Sequence, residues 1–325
     1  MGKITISQKV YKKKAVFVLG MHRSGTSLLT KILTIMGATP PAGLLMPSAD
    51  NPLGYWEAQS VIDLNKQLLR STGNTWKTYR PIPDDWFKAP EREDNLDAAV
   101  RIIEEEFGGA DFIVLKCPRI CRLMPFWESA MKMAEYEVTT VMILRDPEEV
   151  FRSLAARSIL PQAKHASITN PQHAALLWLR YVLDAERHSR NIPRIVINYA
   201  DLLNYKSNAL NVFDDKHEIG LNRLTEEQKN NIDSLFVPEL RRQRNHLDHE
   251  IQTGNIVFDQ LRPLVSLLLG NLDEKSIATL NKLTNQLDQI YASCAVGNTV
   301  IGDIEPDSNF HIAVCQKLHC ILNAY

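Results

Sequence analysis

No stretch of this 325-residue sequence approaches the roughly 18 consecutive apolar residues of a membrane-spanning helix. The polar, basic start, Met1 to Lys14, runs into an apolar segment of only residues 15–20, too short for the core of a secretion signal. Ile6 stands where N-myristoylation needs Ser or Thr. Cysteine is scarce. The five residues, at 117, 121, 294, 315 and 320, form an odd count without zinc spacing. That pattern excludes a disulfide framework and suits a reducing compartment. Excess charge is missing as well: 37 basic against 38 acidic side chains argues against a general nucleic-acid binder. There is no carboxylate cluster of metal-site type, so no metal is expected. These absences together describe a cytoplasmic protein with no nucleic-acid partner and no transmembrane segment.

What is present is an alternation of short apolar runs and helical periodicities. Strands are expected at Ala15–Gly20, Phe112–Lys116, Thr139–Arg145 and Arg194–Tyr199. Helices are expected over Ser27–Met36, Glu57–Leu69, Leu96–Phe107, Pro125–Ala134, Pro147–Arg157 and Pro171–Asn191. Pro40–Gly54, the proline- and aromatic-rich Thr75–Pro90, and Ser158–Asn170 read as loops. The alternation implies right-handed crossovers and an α/β fold, three-layer αβα with a mainly parallel sheet. Residues 1–215 form the core on this reading. Residues 216–325 form a helical C-terminal extension packed on or beside it. In that tail Ile277, Leu280, Leu283, Leu287 and Ile290 make an apolar stripe. The stripe fits packing within the chain and also leaves open a homodimer through the tail.

Gly20-Met-His-Arg-Ser-Gly25-Thr26-Ser27 sits between the first strand and the first helix. Two glycines permit a tight turn, successive N–H groups can face one anion, and the helix N-terminus adds partial positive charge. The spacing is that of a Walker A loop, but Thr26 replaces its lysine. That loss argues against an ATP-dependent kinase. Arg23 supplies charge from within the loop instead. Gly20, His22, Arg23, Ser24, Gly25, Thr26 and Ser27 are therefore the expected anion-binding residues.

A second anion site is expected where the third strand ends. Arg145 lies at the carboxyl edge of the sheet, and Ser153 follows eight residues later on the next helix. An arginine fork and a hydroxyl converging there suit a further phosphate. With both motifs in place, the chain resembles the P-loop sulfotransferase superfamily, most of all bacterial members with a GMHRSGTS opening. Gly54-Tyr-Trp-Glu57, Lys116-x-Pro-Arg119 and Ile197-Asn-Tyr-Ala-Asp-Leu202 agree, over roughly residues 15–203, and Val237–Arg242 is a further echo. The resemblance implies 3′-phosphoadenosine 5′-phosphosulfate (PAPS) as donor and 3′-phosphoadenosine 5′-phosphate (PAP) as product. It implies the first loop on the 5′-phosphosulfate and Arg145 with Ser153 on the 3′-phosphate. It also points to a small-molecule or glycan acceptor, a carbohydrate or glycolipid hydroxyl.

Two departures from the family pattern matter. Cytosolic members carry a histidine base two residues after a strand-end lysine; here Lys116 is present and Pro118 takes that place. Bacterial relatives often have aspartate where this chain has Cys117. Sulfuryl transfer needs alignment and charge stabilisation, for which Arg23 and Lys116 are the expected cations. Glu57 is the expected base, with His22 as its rival. A nucleotide kinase-like enzyme and a catalytically impaired nucleotide-binding protein are the alternative readings.

Overall fold

The computed structural model describes residues 13–48, 51, 54–213, 224–236, 256–295 and 311–316. Ile6, Val237–Arg242 and Cys320 lie outside them, and the 216–325 extension is described in part. Chain order is β1 (Lys13–Leu19), α1 (Thr26–Ile35), α2 (Gln59–Ser71), α3 (Glu93–Phe107), β2 (Phe112–Lys116), α4 (Ile120–Met133), β3 (Tyr136–Leu144) and α5 (Pro147–Ala155). It continues with α6 (Pro171–His188), β4 (Arg194–Asn198), α7 (Tyr199–Tyr205), α8 (Glu226–Asp233), α9 (Ile256–Leu269) and α10 (Glu274–Ala295). The four strands form one all-parallel sheet in the order β2-β1-β3-β4.

Strand side chains alternate between two apolar layers. Ala15, Phe17 and Leu19 face one layer; Val16 and Val18 face the other. Both sides of β1 are buried, which is why it reads as a continuous apolar run. The layer beyond Val16 and Val18 is filled by α1, α7 and α8. The other layer takes α2 to α6 and also α9 and α10. Leu280, Leu283, Leu287 and Ile290 are buried in that same cluster, so the stripe of α10 is used within the chain.

Element edges differ from expectation for local reasons. The helix expected from Pro125 begins at Ile120 and carries Pro125 inside it. A proline lacks the N–H that would bond the carbonyl four residues back. That carbonyl, of Cys121, instead accepts from His188 Nδ1 at 3.4 Å, so the helix continues through the proline. α6 ends at His188, and α5 ends at Ala155 in a 3₁₀ turn over Ala156–Ile159. The expected loop over 158–170 contains another such turn, Pro161–Ala166.

Candidate active site

The loop after β1 lies at the carboxyl edge of the sheet. Ser24 N–H donates to Met21 O at 3.1 Å, and Arg23 (φ 70°) and Gly25 (φ 92°) both take left-handed backbone. Gly25 is the N-cap of α1 and offers no side-chain cap, so the first-turn N–H groups remain for another acceptor. A Cβ at Gly25 would lie 2.4 Å from the Tyr199 ring. Gly25→Ala is expected to cost about 1–3 kcal/mol by overpacking a strained turn, read as a lowered urea midpoint. An unchanged midpoint would show that Tyr199 swings away freely.

Two loop side chains hold buried polar atoms without a hydrogen-bond partner among the described residues: His22 Nε2 and Ser24 Oγ. The His22 ring packs 4.8 Å from Trp76 and 5.8 Å from Tyr181. Burial first, then Arg119, Arg157, Lys116 and Arg23, push its pKa well below the usual value, so the imidazole is neutral. Ser27 bonds a second turn. Its hydroxyl donates to Tyr55 O at 3.0 Å, pinning the 54–57 turn against α1. Thr26 is buried at the start of α1.

Arg145 and Ser153, expected at the second anion site, both meet Arg23 of the first. Arg23 Nε donates to Ser153 Oγ at 2.8 Å, and Arg145 Nη1 donates to Arg23 O at 2.8 Å. The Arg145 guanidinium also lies 4.5 Å over the Tyr199 ring and donates to Glu149 at 2.9 Å. Trp178 Nε1 holds the Arg145 carbonyl at 3.1 Å. Asp146 caps α5 by accepting from the Glu148 and Glu149 N–H groups, so Ser153 is carried on a firmly started helix.

Glu57 follows a turn in which Gly54 (φ 83°) and Trp56 (φ 58°) are left-handed. Its carboxylate accepts from Lys116 Nζ at 2.6 Å and lies 3.9 Å from Arg119 Nη1. Lys116 is 2% exposed and Glu57 8%, so this is a buried pair. Arg119 Nη1 also donates to Cys117 Sγ at 3.6 Å, and Arg119 Nε has no partner among the described residues. Burial, aided by Glu57, pushes the Cys117 thiol up to about 11, so it stays protonated at neutral pH. Cys121 Sγ accepts from the Gly20 N–H at 3.1 Å. Trp76 and Tyr181 enclose His22. Tyr181 sits on the apolar face of a long helix, where an aromatic reads as core.

The orphaned Ser24 and His22 atoms and the uncapped start of α1 leave polar groups at this loop for an anion. Among the described residues there is no group of His, Cys, Asp and Glu able to hold a metal, and no helix long and apolar enough to cross a membrane. A family model described as "Sulfotransferase family" matches residues 15–210, more than half of the chain. No curated protein matches it.

Proposed function

The chain belongs to the sulfotransferase family, PAPS-dependent enzymes, and we propose that it transfers the sulfuryl group to a hydroxyl of a carbohydrate or glycolipid. The linkage of Arg23, Arg145 and Ser153 through two 2.8 Å hydrogen bonds carries this reading. One phosphate-binding loop and one strand-end arginine meet there, as a donor with phosphates at both ends of its nucleoside requires. Bound PAPS supplies the sulfuryl group and departs as PAP.

On this reading the loop N–H groups and Ser24 hold the 5′-phosphosulfate, and Arg145 and Ser153 read the 3′-phosphate. Arg23 and Lys116 face the charge that grows on the leaving phosphate and the sulfuryl oxygens. Glu57, beside Lys116, takes the acceptor proton. His22 is the second reading for the base, supported by its neutral ring and unbonded Nε2. Half-buried Trp56 and Trp76, next to Glu57 and against His22, suit the face of a sugar ring. The unpaired, protonated thiols of Cys117 and Cys121 fit a reducing, cytoplasmic setting.

Calorimetric titration tests the donor assignment. The protein should bind PAP more tightly than ADP. Replacing Arg145 and Ser153 together with Ala should erase the preference, Arg145→Ala alone costing about 1.5–3 kcal/mol as a charged hydrogen-bond donor. Equal affinity of the intact protein for the two nucleotides would sink the assignment of the 3′-phosphate site.

A further inference from the structure

Residues 76–80 lie outside helix and strand, yet each of their five carbonyls accepts a hydrogen bond from a side chain. Tyr181 Oη donates to Trp76 O at 2.9 Å and His173 Nε2 to Lys77 O at 2.6 Å. Arg122 Nη1 donates to Thr78 O at 2.7 Å, Arg180 Nε to Tyr79 O at 3.0 Å, and Arg122 Nη2 to Arg80 O. All four donors stand on α4 and α6. A segment held at every carbonyl is a strap, and its first residue, Trp76, lies against His22 of the phosphate loop.

The two arginines that grip the strap bring two positive charges into the interior. Their side chains are 0% and 2% exposed. Asp184 bonds both, to Arg122 at 2.9 Å and to Arg180 at 3.3 Å, and so offsets one charge. The second counter-ion is Asp288, on α10, bonded to Arg180 Nη2. A buried guanidinium without a counter-ion is strongly disfavoured. The tail also touches the strap directly: Tyr79 meets His311 Nδ1 at 2.9 Å through its hydroxyl and Tyr291 at 5.4 Å between ring centres. Both helix α10 and residue 311 lie beyond the matched span of 15–210.

We propose that the C-terminal helical part is a positioning element of the phosphate loop, with Asp288 acting through Arg180 and the 76–80 strap to set Trp76 against His22. Asp288 touches neither donor nor acceptor on this assignment. It works by holding a charge balance that keeps the strap in place.

Nuclear magnetic resonance of the full chain with isotope-labelled histidine tests this, His22 being assigned by a His22→Gln variant. Trp76→Leu removes the ring current on His22 and defines the shift of a released loop. Asp288→Asn should move the His22 signals in the same direction, while Asp288→Glu leaves them near their wild-type positions. PAP affinity should fall at least about fivefold in the Asn variant and recover in the Glu variant. Should Asp288→Asn fail to fold, Arg180→Lys decides, because it keeps the charge but loses the Nε–H that donates to Tyr79 O. His22 signals that stay in place in a folded Asp288→Asn protein, or in Arg180→Lys, would overturn the proposal. Wild-type protein that binds no PAP would instead defeat the donor assignment, and the histidine shifts would still decide the strap.

Discussion

Glu57→Gln should lower turnover by about 100- to 10,000-fold, the usual contribution of a positioned base, while PAP binding is kept or tightened. The amide has nearly the shape of the carboxylate, and its oxygen can still accept from Lys116 Nζ, now 2.6 Å away from Glu57. What disappears is the negative charge. Proton abstraction from the acceptor is lost with it. Lys116, only 2% exposed, then lacks its counter-ion, and on the proposed assignment bound PAP supplies the compensating negative charge. The variant should therefore melt below wild type when free and recover more than wild type on adding PAP. Transfer from labelled PAPS, together with melting curves with and without PAP, provides the check. Near-normal transfer would remove Glu57 as the base and leave His22 in that place. Loss of PAP binding along with folding would mean that Glu57 only holds Lys116.

The sequence made part of this site legible because some of its signals are local. An apolar strand, a glycine, and a second glycine opening a helix mark a tight strand-to-helix turn within eight residues, Gly20 to Ser27. Arg145 at a strand end and Ser153 on the following helix are set by one strand-to-helix junction, and they do meet at Arg23. Contacts between distant segments left no such mark. Nothing in the chain links Gly25 to the Tyr199 ring that forbids a Cβ there. Nor does the spacing link the hydroxyl of Ser27 to Tyr55 O, which it bonds because the 54–57 turn folds back onto α1. Pro125 looked like a helix start because proline suits a first turn. The carbonyl that it leaves without a helical partner, of Cys121, finds His188 far along the chain, and the helix runs on. Arg180 and Asp184 have the spacing of an ordinary surface pair. Only the packing of α4, α6 and α10 turns them into a buried charge network.

That network sets the largest expected stability effect: Asp184→Asn should destabilise the protein by about 3–5 kcal/mol at neutral pH, the cost of removing one partner from a buried ion pair. Asp184 is the only carboxylate among the described residues bonded to both Arg122 and Arg180, and its side chain is 7% exposed. An asparagine keeps one acceptor oxygen but leaves Arg122 without the counter-ion it bonds at 2.9 Å. Burial by itself opposes ionisation of Asp184. Arg180 and then Arg122 outweigh it and hold the carboxyl below its ordinary range. A carboxylate whose folded pKa lies below the unfolded value, about 3.9, contributes its full stabilisation above that value. The contribution is lost as pH falls through the folded pKa. Wild type should thus lose stability below about pH 4 more steeply than Asp184→Asn, and the gap between them should narrow in acid. Urea unfolding at pH 7 and at successively lower pH measures both effects. A gap that stayed constant through the acid range would assign the loss to packing geometry and count against the charge balance on which the strap depends.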